Sequence, residues 1–570
     1  MPHPVFIMTS LGPIFADDLA RVKPGDRLRL TISAQTSDAA ALAQAALEAR
    51  ARGERVLVVC ADPADVPRLA QEMPWFEPNL DVRPLPDWET LPYDVLSPQE
   101  ELVSERLEAL YRLTAPTGGA DVLLTSAVTA SQRLSPVSYI GANTFFFHQG
   151  EQISLTTLQK RLAAAGYANV KQVLAAGEFA VRGSIVDVFP MGSERPFRLD
   201  FFDDEIESIR WFDVDTQRSM ESAEEIRLLP GHEFPVDPEA LLAFRQRWRR
   251  EFAGDPKKSI VYCDIEKEIL PPGIEYYLPL FFDETAALTD YLPPNARVFL
   301  LGDIEAALQA FGRDMASRYK VLAADPQRPA LAPECIWLKP EEFFKSLANF
   351  ARFTVEKKEN AEDLKRLSGI EVDRKSQNPV GKLLERTRES AMKGVRTLIA
   401  APSAGRMETM SQLLRTGGLS VEEFPDWQTF LEADSALGIA AAPLFSGAVF
   451  HHPEIVILSE AELYAASPRR HRLRRVKHAT TLEMMVRDVA ELKPGDAVVH
   501  AAHGIGRYQG LVHMETPDGD AEFLEITYKN DAKLFVPITN LQLISRYAGA
   551  DPEHAPLHQL GRGDWEKAKR

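Results

Sequence analysis

Apolar residues in the first third of the chain fall into short unbroken runs. Between the runs they recur every three or four positions. Arg27 to Ser33 reads as a strand, and Asp38 to Arg52 as an Ala-rich helix with Ser37 or Asp38 as N-cap and Gly53 as its stop. A buried-type strand at Arg55 to Cys60 is followed by a helix at Asp65 to Glu72. An amphipathic helix at Pro98 to Leu113 and an apolar strand at Asp121 to Ser126 come next. Strands alternating with helices predict a parallel α/β sheet. From about Gln149 the pattern turns strand-rich, at Phe179 to Phe189 and Phe197 to Trp211, with turns at Met191-Gly192 and Asp203-Asp204. That predicts a small α+β insertion. Mixed α/β texture then returns, with a core strand at Arg297 to Leu301.

The stretch 355–380 is polar and reads as a linker. A second small α/β unit follows, with strands at Thr397 to Ala401 and Ile455 to Ser459. After Pro494-Gly495 the strands shorten: Ala497 to His500, Leu511 to Glu515, Glu522 to Tyr528 and Lys533 to Pro537. Gly504-Ile505-Gly506, Asp518-Gly519 and Asn530-Asp531 read as turns between them, so a small β-barrel is expected.

Composition adds limits. The 570 residues suggest about three to five domains. No apolar run approaches the ~18 residues of a membrane helix. The first ten residues lack the pattern of a secretory signal, which points to the cytoplasm. Cys60, Cys263 and Cys335 are too dispersed for a disulfide framework or a zinc site. A net charge of −18 argues against non-specific DNA binding by the whole chain. Against it stands one basic run, in which Arg469, Arg470, Arg472, Arg474 and Arg475 could contact phosphates or serve as a solvated linker.

Catalytic patterns are missing. A P-loop ATPase needs glycines, a Lys and a Ser or Thr after its first strand. That place reads Ser33-Ala34-Gln35-Thr36-Ser37-Asp38, and Asp38 would repel phosphate. The His pairs His451-His452 and His500/His503 match no metal motif, with His503 expected in a turn, and no nucleophile elbow occurs. No catalytic residue, metal ligand or cofactor is assigned.

Several segments together carry a resemblance. They are Asp87-Trp88-Glu89-Thr90-Leu91-Pro92-Tyr93-Asp94, Gly177 to Gly183, Phe189 to Glu194, Arg198 to Glu205, Pro272-Gly273-Ile274-Glu275-Tyr276-Tyr277, His503 to Tyr508, Tyr528 to Leu534 and Ile544 to Tyr547. In order and spacing the chain resembles the front part of the bacterial transcription-repair coupling factors. The resemblance implies a degenerate P-loop, helicase-like domain at 1–145 and 229–350, interrupted at 146–228 by an insertion that binds UvrA. It implies a linker at 351–380, a small α/β third domain at 381–467 and a basic linker at 468–486. A Tudor-like RNA polymerase-interacting barrel would occupy 487–549, and 550–570 would begin the connection to the family's ATP- and Mg-dependent DNA translocase.

Carried over to this sequence, the UvrA contacts are Arg182, Arg198 and Phe202, with internal pairing of Arg198 to Asp200 or Asp203 and burial of Phe202 in the core as the alternative. For the polymerase β subunit, Val512 and Met514 on the strand Leu511 to Glu515 are the candidates, with burial in the barrel core as the alternative. The implied function is docking in transcription-coupled nucleotide excision repair without catalysis; the alternative is a nucleotide hydrolase or helicase acting on its own.

Overall fold

The computed structural model describes residues 21–115, 119–373, 376, 378–464, 497–500, 504–516, 519–529, 532–537 and 544–546. The chain divides into two compact units, residues 1–470 and 471–570. It is a mixed α/β, multi-domain protein with several sheets.

The first sheet takes β1 (Arg27–Ser33), β2 (Val56–Cys60), β3 (Val82–Pro84) and β4 (Val122–Ser126) from the front of the chain. The insertion supplies β5 (Phe145–His148), β6 (Ala168–Asn169), β7 (Glu178–Arg182), β8 (Ile185–Val188), β9 (Phe197–Phe202), β10 (Glu205–Phe212), β11 (Ser219–Ala223) and β12 (Glu225–Leu228). The chain then returns to the first sheet with β13 (Arg297–Leu301) and β14 (Ala351–Lys358), giving the order β1-β14-β13-β2-β4-β3, all parallel. β2, β4 and β13 are buried along their whole length, as parallel strands covered on both faces must be.

The position of β14 corrects the linker expected at 351–380. Its first five residues lie between β1 and β13, with Phe353 and Val355 buried. Its exit, Glu356 to Lys358, carries three consecutive charges, and that charged exit made the whole stretch look unstructured. The helix Ala361–Arg366 follows, with Asp363 fully buried.

The insertion forms a second sheet in the order β11-β10-β9-β8-β7-β6. Its inner face, through Phe179, Val186, Leu199 and Phe201, joins the core that Leu107, Leu110 and Leu123 of the first domain build. The third domain has β15 (Arg396–Ala401), β16 (Glu422–Phe424), β17 (Leu437–Ala441), β18 (Ala448–His451) and β19 (Glu454–Ser459), in the order β16-β17-β15-β19-β18. It shares a core with the first domain. Phe76 lies edge-on to Trp427 at 5.5 Å, and Trp75 Nε1 donates to the Ala441 carbonyl at 3.2 Å.

The second unit has β20 (Ala497–His500), β21 (Gly504–Thr516), β22 (Gly519–Thr527), β23 (Lys533–Pro537) and β24 (Ile544–Arg546), antiparallel in the order β23-β22-β21-β20-β24. The turn expected at Gly504-Ile505-Gly506 is instead the start of β21. Gly506 serves a close approach: a Cβ there would come within 2.6 Å of Ile526. His503 lies outside the described residues.

Candidate docking site

The corner after β1 lies at the carboxyl end of a parallel sheet, where open α/β folds ordinarily bind ligands. Here the helix Asp38–Ala51 begins with Ser37 as N-cap, accepting from the Ala40 amide. Asp38 turns inward and is buried. Arg68 grips it with two hydrogen bonds, of 2.9 and 2.8 Å, and Lys357 Nζ lies 2.6 Å away. Burial alone would raise the Asp38 carboxyl. Arg68 and Lys357 overcome that and hold it well below the usual carboxylate range. Arg68 also pairs with Glu72, whose other oxygen accepts from the Phe445 amide of the third domain at 3.0 Å. The Val449 amide donates to the Gln35 carbonyl at 2.9 Å. The corner is therefore filled by the chain's own carboxylate and covered by the third domain. Beyond it, Ser33 Oγ donates to Asp363 at 2.7 Å, and His451 pairs with the same carboxylate.

The outer face of the insertion sheet is the opposite case. On β9, Phe197, Leu199 and Phe201 point into the core, while Arg198, Asp200 and Phe202 point out. Phe202 is 69% exposed, at the end of the strand where Asp203, with φ of 53°, turns the chain into β10. Asp187 on β8 stands opposite Arg198 in the ladder. It is buried, and it binds both arginines. Arg198 donates to it through Nε at 2.6 Å and Nη2 at 3.0 Å, and Arg182 donates through Nη2 at 2.8 Å. The hydrogen bonds that Arg198 donates to Asp187 raise its guanidinium above its ordinary value. Arg198 Nη1 donates to the Gln217 carbonyl and to Ser219 Oγ, and its guanidinium stacks 5.0 Å from the Phe212 ring.

The sequence-predicted trio is thus brought to one face, and Arg198 has an internal partner. That partner is Asp187, not Asp200 or Asp203. Asp200 instead accepts from Ser208 Oγ at 3.0 Å. Sequence reasoning passed over Asp187. Its signal was a single carboxylate inside the apolar run Ile185-Val186-Asp187-Val188.

In the second unit, Gly504 to Arg507 of β21 pair with β20, and Arg507 to Thr516 pair with β22. The register slips between Tyr508 and Gly510, and Gly510, with φ of 139°, bends the strand there. Past that bend, no strand among the described residues pairs with the other edge of β21. Val512, half-buried, and Met514 lie on this stretch, opposite Phe523 and Ala521. The Met514 side chain lies outside what is described, as do Arg469, Arg470, Arg472, Arg474 and Arg475. Among the described residues no group of three His, Cys, Asp or Glu could hold a metal ion, and no helix is long and apolar enough to cross a membrane.

Three family descriptions match parts of the chain. The UvrB interaction domain matches residues 145–234, the MFD D3 domain residues 391–463, and the CarD-like/TRCF RID domain residues 492–548. The transcription-repair-coupling factor of Escherichia coli (strain K12) is 38% identical over 525 residues, which is 90% of this chain and 45% of that protein. This chain resembles the N-terminal part of the transcription-repair-coupling factors. The coupling factor of Haemophilus influenzae is 37% identical over the same shares, and that of Myxococcus xanthus 29% identical over 85% of this chain and 42% of its own length. The chain spans less than half the length of the coupling factors it matches. The exposed Phe202 and the Asp187 cluster lie inside the segment that matches the UvrB interaction domain, and β21 lies inside the segment that matches the RID domain.

Proposed function

We propose that this chain is a docking scaffold for transcription-coupled nucleotide excision repair. The insertion binds UvrA through the face that carries Arg182, Arg198 and Phe202. The second unit, a small Tudor-like barrel, binds the β subunit of RNA polymerase through β21, with Val512 and Met514 as apolar contacts. The first domain is a degenerate P-loop, helicase-like domain that turns over no nucleotide; the family's ATP-dependent DNA translocation belongs to residues outside this chain.

The observation that carries the proposal is Phe202, a large apolar side chain 69% exposed on a strand whose inward neighbours are all buried. Exposed aromatics beside arginines are the usual anchors of protein interfaces. The edge of β21 that no strand pairs with among the described residues supports strand addition by a partner. The Asp38–Arg68–Lys357 cluster supports the absence of nucleotide chemistry, because a buried carboxylate stands where phosphate would need donors.

Titration of the chain with purified UvrA tests the first surface. Phe202→Ala is expected to weaken binding by about 2 kcal/mol while leaving the fold intact. Met514→Arg is expected to abolish binding to the polymerase β subunit and leave UvrA binding unchanged. Loss of neither interaction would remove the assignments.

A further inference from the structure

Arg182 and Arg198 share Asp187, but they stand in different relations to it. Arg198 spends its whole guanidinium inside the molecule: Nε and Nη2 on Asp187, Nη1 on the Gln217 carbonyl and Ser219, and its flat face on Phe212. Its side chain is 15% exposed. Arg182 gives Nη2 to Asp187 and to Gln217 Oε1, and its side chain is 49% exposed. Its Nε and Nη1 meet no acceptor among the described residues. One buried carboxylate therefore holds two arginines, one sealed and one presented.

The turn that completes the arrangement is held by its own bonds. Asp213 accepts from the Thr216 amide at 2.8 Å and from its hydroxyl at 2.7 Å. Gln217 sits at φ of 57°, a conformation that costs a non-glycine residue energy and persists only where surroundings impose it. Its carbonyl faces Arg198 and its side chain faces Arg182.

We infer that Asp187 is the positioning residue of this docking face, that Arg198 braces it, and that Arg182 together with Phe202 makes the contact, offering the outer edge of its guanidinium to a carboxylate of the partner. This rests on the reading of the insertion as the UvrA surface. A guanidinium pinned on one side by a buried acid loses little freedom on binding, and its remaining donors are aimed outward. Phe202 stands at the end of β9, where its backbone pairs with Glu205 across the β9–β10 turn.

The test is a titration of the full chain with UvrA for the parent, Arg182→Ala, Phe202→Ala, Asp187→Asn and the double variant Asp187→Asn/Arg182→Ala, with thermal unfolding measured in parallel. Arg182→Ala and Phe202→Ala are expected to weaken binding by about ten-fold or more. Asp187→Asn is expected to weaken it about five-fold in the parent, and less than about two-fold once Arg182 is gone, because it acts through Arg182. A purely structural role would give the same loss in both backgrounds and would overturn the inference. So would parent-like binding by Asp187→Asn when Arg182→Ala and Phe202→Ala are weak. If those two bind like the parent, the docking reading itself falls. Should Asp187→Asn fail to fold, Asp187→Asn/Arg198→Gln, which removes one buried charge of each sign, takes its place with the same expectations.

Discussion

The corner after β1 and the outer face of the insertion are built from the same part: a buried aspartate gripped by two cations. Asp38 has Arg68 and Lys357, and Asp187 has Arg198 and Arg182. What differs is the cover. At Asp38 the third domain closes over the cluster, with the Phe445 amide on Glu72 and the Val449 amide on Gln35. At Asp187 one arginine and one phenylalanine are left outside. A buried ion cluster by itself is therefore neither a lock nor a docking face. The neighbouring element decides, by covering the outer cation or leaving it in water.

Breaking the covered cluster should have the largest effect. Arg68→Ala leaves Glu72 buried without its cation and Asp38 with Lys357 alone, which costs about 3 kcal/mol of stability. Denaturant unfolding measures it. A loss below about 1 kcal/mol would mean that the corner is wet, and the contrast with the insertion face would collapse.

A third buried acid sharpens the contrast, because it has no cation within ion-pair distance among the described residues. Glu275 accepts from Ser97 Oγ at 2.9 Å, and burial pushes its carboxyl up to about 7. A raised carboxyl pKa makes the folded state hold its proton more tightly than the unfolded chain does. Its contribution is then full below pH 4.5 and is lost as pH rises through about 7. Glu275→Gln mimics the protonated form. It should stabilise the protein by about 1–3 kcal/mol at pH 8 and change little at pH 4.5. Equal effects at both pH values would show that Glu275 is not held protonated by its surroundings. Asp38, with two cations, should show no such rise in this range.

These differences mark how far the sequence could be read. β2, Val122 to Leu124 of β4 and Val298 to Leu301 of β13 are unbroken apolar runs, and they form where the pattern places them. The outward direction of Phe202 follows from strand alternation once Phe201 is taken as core. The clusters were not legible in the same way. Arg68 lies 30 residues from Asp38, and Lys357 sits on β14, whose polar exit disguised an inner strand. Asp187 and its two arginines are close in sequence but meet across three strands, and neither charge nor spacing shows which arginine is sealed. Gly504 to Gly506 read as a turn because glycine marks turns and close approaches alike; only Ile526 on the neighbouring strand distinguishes the two.

The smallest effect on stability belongs to Arg182. Its side chain is 49% exposed, and when it is removed Asp187 keeps both hydrogen bonds from Arg198. An ion pair so placed is screened by water, so Arg182→Ala should cost less than about 1 kcal/mol in denaturant unfolding. Arg198→Ala should cost more, because it strips Asp187 of its bidentate partner and uncovers the Phe212 ring. The comparison turns on that order. If Arg182→Ala destabilises the chain as much as Arg68→Ala, the insertion face is a brace like the corner after β1, and the exposure of Arg182 carries no meaning for docking. If it is nearly silent in unfolding yet weakens UvrA binding, the same buried-aspartate device has been turned outward, and the energy of Arg182 is realised in the complex and not in the fold.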